Sequence, residues 1–427
     1  MIIHIHRGID QIGGCITEIA TENTRVLIEL GQNIPSGDSF IHDTYAESGA
    51  IEKLTKGVKA IFYTHYHGDH VGHFALVPQE VPQYIGPVAK KILCCKHERL
   101  GIIPGRESVS AKELASLEEM KTYKTGHPLL IGDIQITPFM VSHSAYDAHM
   151  FLVEAGGRRI LHTGDFRGHG YLSKGLIPTL NKYILKGGAI DYLISEGTMI
   201  SRLGEMVQHE REIQKELQKV MKEYPYVFFW GSSTDMERLS SAYAANKAMK
   251  KRAFVCDDYQ QQILDMFSDS AGTFSSLFRF SKAYTYYHSN KKLLDWMENQ
   301  GFCMLIRPTQ KFHSWLDSLL ANLDSEKTVL IYSQWKGYIE EGSPHASPAY
   351  LELISRFPRS RMIHTSGHAS PQTLADLCTI VNPSQRIIPI HSLRSEDFSQ
   401  LNIHHELKSR IITSNTDSKG DQVNIDR

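Results

Sequence analysis

The sequence predicts an α/β protein built from more than one unit. Strand-like runs rich in Val, Ile, Phe and Tyr alternate with helical stretches through the first 200 or so residues. From about Glu205 a charged amphipathic helix opens a second series of alternating strands and helices. A chain of 427 residues is long enough for two or three domains. This alternation is typical of sheets covered by helices.

The first series contains seven strand candidates and three helix candidates. The strands are predicted at residues 15–20, 24–30, 58–63, 134–141, 149–154, 158–162 and 192–195, and the helices at about 47–56, 87–101 and 111–119. The pair Gly156-Gly157 between two of the strands is typical of a tight hairpin turn.

The second series resembles a parallel βαβ arrangement. A helix is predicted at 205–222 and strands at 227–230, 253–256 and 328–332, followed by a Gly-, Ser- and Pro-rich stretch at 340–350. Strands at 361–364 and 386–390 then flank a helix that begins at Ser370-Pro371. The predicted divisions are 1–204, 205–350 and 351–413, with a polar tail at 414–427.

Composition narrows the class of protein. No run of about 18 apolar residues is present, so a membrane partner is not expected, and the N-terminus lacks the pattern of a signal peptide. The six cysteines form no CxxC pair and indicate reduced thiols in a cytoplasmic protein. The net charge of −1 means that any attraction to nucleic acid would be local.

The sharpest local signal is the segment THYHGDH, Thr64 to His70, which follows an apolar strand directly. It supplies His65, His67, Asp69 and His70 at a strand end, where imidazole and carboxylate groups suit Zn²⁺ or a similar divalent ion. The alternative, a set of solvated loop histidines, is not favoured because four such groups seldom occur so close together.

Two further residues close predicted strands. His143 ends ITPFMVSH and Asp165 ends RRILHTGD. Each alone is more typical of a turn or cap residue. Their order after the HxHxDH motif makes them candidate metal ligands.

The HxHxDH motif followed by His143 and Asp165 resembles the ligand pattern of the metallo-β-lactamase superfamily. The fold of that superfamily is an αββα sandwich with metal ligands on loops at one edge. The resemblance implies one metal held by His65, His67 and His143, and a second held by Asp69 and His70, with Asp165 bridging the two. Glu29 stands where the family usually has Asp, a residue that supports the site rather than binding metal.

Three more motifs resemble motifs A, B and C of the β-CASP nucleases, and are most similar to those of ribonuclease J-like proteins. They are YLISEGT with Glu196, HTSGHAS with His368, and IIPIHS with His391. The resemblance implies that a β-CASP α/β domain is inserted into the sandwich. It also implies that His391 completes the second metal, as in the RNA-cutting branches.

The resemblance further implies a two-metal ribonuclease in which a metal-activated hydroxide attacks the phosphodiester bonds of single-stranded RNA. The two cofactors would be Zn²⁺ or, alternatively, Mn²⁺. Asp69, His368 and Glu196 are the catalytic candidates: His368 would contact the phosphate or act as general acid, and Glu196 would orient it. Ser366 and Gly367 beside His368 are candidate substrate contacts.

Ser233 and Thr234, at the start of a predicted helix, are further candidate phosphate contacts. An ordinary N-cap at either residue is the alternative. Several functional alternatives also stay open: a DNA nuclease of the same fold, a small-molecule metallohydrolase such as a thioesterase, and a catalytically silent RNA-binding protein. The choice between exonuclease and endonuclease, and homodimer formation, are left open.

Overall fold

The structure, a computed structural model, describes residues 1–34, 42–272, 275–413 and 423–425. These residues fall into two compact units. The first comprises residues 1–34, 42–206, 367–413 and 423–425, and the second comprises residues 207–272 and 275–366.

The strands and helices are numbered in chain order. The strands are β1 Ile2–Arg7, β2 Ile16–Ala20, β3 Arg25–Ile28, β4 Ala60–Phe62, β5 Gln83–Ile85, β6 Lys121–Thr122, β7 Leu129–Ile131, β8 Ile134–Met140, β9 His149–Ala155, β10 Arg158–His162, β11 Tyr192–Glu196, β12 Tyr226–Gly231, β13 Ala253–Cys256, β14 Ala283–Thr285, β15 Phe302–Leu305, β16 Thr328–Ser333, β17 Ser360–Met362, β18 Arg386–Ile390 and β19 Val423–Ile425. The helices are α1 Ala50–Thr55, α2 Gly68–Val71, α3 Pro87–Gly101, α4 Glu107–Glu119, α5 Leu176–Thr179, α6 Glu210–Glu223, α7 Met236–Lys247, α8 Asp258–Ala271, α9 Lys291–Gln300, α10 Gln310–Asn322, α11 Pro348–Ser355, α12 Pro371–Val381 and α13 His405–Lys408.

The first unit is a sandwich of two sheets. One sheet has the order β19-β1-β2-β3-β4-β5-β6 and the other β18-β11-β10-β9-β8-β7. Buried side chains such as Ile28 and Phe62 from the first sheet pack with Phe151 and Ile194 from the second in one apolar cluster. The second sheet has another apolar face, which packs against helix α12. Burying both faces of this sheet explains its nearly continuous apolar strands.

The second unit contains one parallel sheet with the order β14-β13-β15-β12-β16-β17. Its core is aromatic and includes Phe228, Trp230 and Phe312. Residues 351–366 belong to this unit rather than to the closing part of the first, where the sequence analysis put them. The reason is that β17 pairs with β16, in the register Leu330 to Ser360.

The tail at 414–427 was predicted to be a polar segment outside the domains. Residues 414–422 and 426–427 lie outside the described residues, but β19 pairs in parallel with β1 through Ile3 and Val423. The side chain of Val423 is fully buried, so part of the tail completes the sheet. Among the described helices, none combines the length and the apolar composition that crossing a bilayer requires.

Candidate metal centre

Strand direction explains how distant residues meet at one edge of the sandwich. Strands β8, β10, β11 and β18 all run in the same direction within the second sheet. His143, Asp165 and His391 follow the carboxyl ends of three of these strands, and Glu196 is the last residue of the fourth. The carboxyl ends of strands that run the same way meet at one edge of a sheet, so these four side chains are brought together.

The HxHxDH motif enters from the facing sheet. It follows β4, and α2 begins at Gly68 within it. The backbone of Asp69 lies so close to the end of β3 that a Cβ on Gly31 would sit 1.7 Å from the carbonyl oxygen of Asp69. Only glycine fits there, which explains why residue 31 is a glycine.

Three histidines form the first cluster. The ring centres of His65 and His67 are 4.7 Å apart, and those of His65 and His143 are 4.8 Å apart. His143 Nε2 lies 3.3 Å from His67 Nδ1. The nitrogen atoms that these three side chains offer lie within 4.8 Å of one another, so the group could hold a metal ion.

Asp165 lies at the centre of the site. Its Oδ2 atom is 3.1 Å from His70 Nε2, 3.7 Å from His391 Nε2 and 3.8 Å from His143 Nε2. The Asp165 side chain is almost fully buried. One carboxylate oxygen therefore faces histidines from both proposed metal positions, which is the placement required of a bridging ligand.

A second cluster contains Asp69, His70 and His391. His391 Nε2 lies 3.1 Å from Asp69 Oδ2, and the rings of His70 and His391 are stacked with centres 5.0 Å apart. His391 has a φ of +51°, and Glu29, which lies beside His70, has a φ of +69°. Positive φ is uncommon for residues other than glycine, so both backbones are held in strained conformations at the site.

Glu196 and His368 lie beside the same carboxylate. His368 Nδ1 is 3.4 Å from Glu196 Oε2 and 3.6 Å from Asp165 Oδ2. His368 was predicted to contact the phosphate or act as general acid, and in the structure it also falls within a group of potential metal ligands together with Asp165, Glu196 and His391. Burial alone would lower the pKa of His368, but the carboxylates of Glu196 and Asp165 outweigh it and raise the pKa.

Hydrogen bonds from neighbouring groups orient two of the ligands. His65 Nδ1 lies 2.9 Å from the hydroxyl of Thr64, and that hydroxyl donates to the carboxylate of Glu29. His143 Nδ1 donates to the carbonyl oxygen of Gly367 at 2.7 Å. When Nδ1 is used in this way, Nε2 is left free for a metal. Glu29 therefore supports the site despite being one methylene longer than Asp.

The donor set fits divalent cations. Among the described residues, His65 Nε2 is fully buried and has no hydrogen-bond partner. Burial lowers the pKa of His65 and of His143 well below the usual value and lowers that of His67 to about 4, so these rings are neutral, which is the form that binds metal. Burial would raise the pKa of Asp165, but His391, His70 and His368 lower it well below the usual value.

Comparison with known proteins identifies the domain that carries the HxHxDH motif, His143 and Asp165. Residues 16–182 match the family model described as the Metallo-beta-lactamase superfamily. The chain carries a metallo-β-lactamase domain. The predicted fold class is therefore confirmed. The fold implies divalent metal binding, and clusters of His and Asp residues that could hold an ion are present.

Curated relatives match this chain at low identity. Ribonuclease J of Helicobacter pylori (strain ATCC 700392 / 26695) is 24% identical over 38% of this chain and 22% of its own length. Ribonuclease J of Mycoplasma genitalium is 23% identical over 52% and 37% of the two chains. The RNase J-like protein of Methanocaldococcus jannaschii is 24% identical over 48% and 44%. The match thus spans less than half of each relative.

A solved structure shares the fold. It is described as a protein of unknown function from Enterococcus faecalis V583. The TM-score is 0.68 at 20% identity, and the match covers 92% of this chain and 95% of the other. At this identity the likeness concerns the fold alone.

The predicted substrate contacts are distributed over both units. Gly367 belongs to the first unit, where a Cβ added to it would lie 2.5 Å from Ser144 Oγ. Ser366 is buried in the second unit, and Ser233 and Thr234 are half-buried there, between β12 and α7.

The alternative interpretation of Ser233 or Thr234 as an N-cap is wrong. The N-cap of α7 is Asp235, whose side chain accepts from Arg238 N at 3.2 Å. The carbonyl oxygen of Ser233 instead accepts from Gln260 Nε2 at 2.9 Å.

Two threonines of the first unit that contact the candidate ligands were not predicted from the sequence. Thr64 contacts His65 and Glu29, and Thr198 contacts both His368 and His391. Threonine carries no chemical signal of its own. Their positions in the sequence could have indicated them, because Thr64 directly precedes His65 and Thr198 lies two residues after Glu196.

Proposed function

We propose that the protein is a metal-dependent ribonuclease that hydrolyses phosphodiester bonds of single-stranded RNA. The observation that carries the proposal is the convergence of His143, Asp165 and His391 on the HxHxDH motif, through contacts of 3.1–3.8 Å at Asp165 and Asp69. These residues are far apart in sequence, and a purely structural role for so many buried polar groups at one edge is costly.

The proposed metal assignment follows the two clusters. His65, His67 and His143 would hold one divalent ion, and Asp69, His70 and His391 would hold the other, with Asp165 facing both. Bound ions at such a site make water a stronger nucleophile at neutral pH and offset charge on phosphate oxygens. Zn²⁺ suits these ligands, and Mn²⁺ is the alternative.

His368 and Glu196 are proposed to act on the substrate side of this cluster. Glu196 accepts hydrogen bonds from Ala369 N at 2.9 Å and Thr198 N at 3.0 Å, so its carboxylate is fixed. His368 keeps part of its side chain exposed, at 22%, beside that carboxylate. A protonated imidazole held there suits contact with a phosphate or proton donation to the leaving oxygen. Gly367 would line the same approach, and Ser366 is proposed as a substrate contact of the second unit.

The choice of RNA as substrate rests on two supports. The curated relatives of Helicobacter pylori and Mycoplasma genitalium are named ribonucleases. His391 occupies the motif C position, which is His in the RNA-cutting branches of the β-CASP nucleases that the chain resembles.

We propose that the second unit is the β-CASP domain and contributes Ser233 and Thr234 to substrate binding. A homodimer is a further proposal, which sedimentation of the purified protein would test.

The test is digestion of matched, 5′-labelled single-stranded RNA and DNA by purified protein loaded with Zn²⁺ or Mn²⁺. We expect RNA cleavage that disappears in Asp165→Asn, with Thr137→Val, a change in a buried strand residue outside the clusters, as the control. Mononucleotides would indicate an exonuclease, and discrete fragments an endonuclease. Faster cutting of DNA would replace the proposal with a DNA nuclease. Hydrolysis of thioesters but of neither nucleic acid would refute both.

A further inference from the structure

The hydroxyl of Thr198 lies between two of the functional histidines. Thr198 Oγ1 is 2.7 Å from His391 Nδ1 and 3.2 Å from His368 Nδ1. The rings of His368 and His391 stack with an interplanar angle of 25°, so both Nδ1 atoms face this one oxygen. Thr198 is buried, with 3% of its surface exposed, so its hydroxyl is shielded from water.

A hydroxyl has one proton and two acceptor positions, which limits the arrangement. Thr198 Oγ1 donates to the carbonyl oxygen of His391 at 3.3 Å. Its acceptor positions are then available to both imidazoles, which places a proton on Nδ1 of each ring. His368 Nδ1 also faces the carboxylates of Glu196 and Asp165, which are acceptors only, and this favours the same protonated nitrogen.

The consequence for His391 is direct. Its Nε2 faces Asp69 and Asp165 at 3.1 and 3.7 Å, in the second cluster. A cation among these groups requires Nε2 without a proton, so Nδ1 must carry the proton and needs an acceptor. Thr198 supplies that acceptor. The corresponding partners in the first cluster are Thr64 for His65 and the Gly367 carbonyl for His143.

The segment around Thr198 also links three parts of the first unit. The amide of Thr198 donates to Glu196 Oε2, and Glu196 Oε1 accepts from the amide of Ala369. The hydroxyl then joins the loop of His368 to the end of β18. Backbone and side chain of one residue thereby hold together the end of β11 and the loops that carry His368 and His391.

We propose that Thr198 is a positioning residue that sets the tautomers of His368 and His391 and so makes the second metal position, rather than the first, depend on its hydroxyl. The inference rests on the metal assignment of the proposed function. It predicts a selective effect, because Thr198 contacts neither His65 nor His67 nor His143 through any hydrogen bond described for the site.

The experiment is a Zn²⁺ titration of the full chain in competition with a chromophoric chelator. Wild-type protein and Thr198→Ser should bind two equivalents, with affinities that agree within about threefold. Thr198→Val keeps the size but removes the hydroxyl, and should bind the first equivalent normally and the second about 10- to 100-fold more weakly. Thr198→Ala carries the same test should the valine variant not fold. Thr137→Val, a matched change in β8, should bind like wild type.

Three results would overturn the proposal: equal weakening of both equivalents in Thr198→Val, no weakening of either, or the same loss in Thr198→Ser as in Thr198→Val. The titration is independent of nucleic acid. A selective loss of the second equivalent in a protein that cuts no RNA would uphold the role of Thr198 and reject the ribonuclease. RNA cleavage by a protein that shows no selective loss would uphold the ribonuclease and reject the role of Thr198.

Discussion

Replacing Arg238 with methionine should destabilise the second unit by about 3–5 kcal/mol. Arg238 and Glu210 form an ion pair whose side chains are 1% and 0% exposed. The guanidinium donates to Glu210 at 2.9–3.2 Å, to Ser333 Oγ at 2.7 Å and to the carbonyl oxygen of Thr365 at 3.0 Å.

The magnitude follows from what the substitution leaves behind. At 2.9 Å and an effective dielectric constant of about 20, the attraction between the two charges is roughly 6 kcal/mol. In the Arg238→Met variant, Glu210 keeps the Ser241 hydroxyl at 2.8 Å but loses the opposite charge, while it still bears the cost of burial. The double variant Glu210→Leu with Arg238→Met removes both charges and should regain most of the stability.

The assay is urea unfolding followed by tryptophan fluorescence. All four tryptophans, at positions 230, 296, 315 and 335, lie in the second unit, so the signal reports on that unit. With a slope of about 2 kcal/mol per molar urea, the midpoint should fall by about 1.5–2.5 M. An Arg238→Met midpoint within about 0.5 M of wild type, or a double variant as unstable as the single one, would refute the reasoning.

The remaining predictions concern the first unit. Asp165→Asn should lower RNA hydrolysis at least about 100-fold, measured as the initial rate at saturating metal; an active variant would exclude the bridging role. Removal of metal by a chelator should lower the melting temperature, and Zn²⁺ at 100 times its Kd should restore about 2.7 kcal/mol; an unchanged melting temperature would contradict metal binding to the folded state. Burial would raise the pKa of Glu18, but hydrogen bonds from Arg25 and His6 lower it to about 2. The Glu18→Gln variant should therefore be less stable at pH 7. We expect a loss of only roughly 1–3 kcal/mol, because Arg25 is partly exposed and solvent screens its pairing with Glu18. This difference should close as the pH falls from about 4.5 toward 2, and a constant difference in denaturant titrations would contradict the assignment.

The candidate site at one edge of the sandwich could be predicted because residue types that suit metal binding occur at the ends of predicted strands. His143, Asp165 and His391 each come within three residues of the end of an apolar strand, and strands that run in one direction end at one edge. The metallo-β-lactamase fold, which the resemblance of these motifs to that superfamily implied, was predicted correctly. The assignment of each residue to a metal or a catalytic role stays a prediction.

The pairing partners of two strands could not be predicted. A strand was predicted at 361–364, but all three residues of β17, Ser360 to Met362, are exposed, so no buried face indicated its pairing with β16 and the unit boundary was placed too early. Segment 423–425 follows a polar stretch, and its pairing with β1 depends on a partner more than 400 residues away in sequence. Thr198 was missed for a related reason, since its importance lies in two contacts across the fold.

The left-handed backbone at Glu29 and His391 limits how this protein can be made more heat-resistant. Each such residue costs of order 1–3 kcal/mol, and Gly or Asn would adopt the same φ of +69° or +51° with less strain. Selection for thermal stability alone would therefore favour Gly or Asn at both positions. Such variants would gain resistance while losing a carboxylate beneath His70 or an imidazole facing Asp69, so a screen on this scaffold needs to select for activity as well.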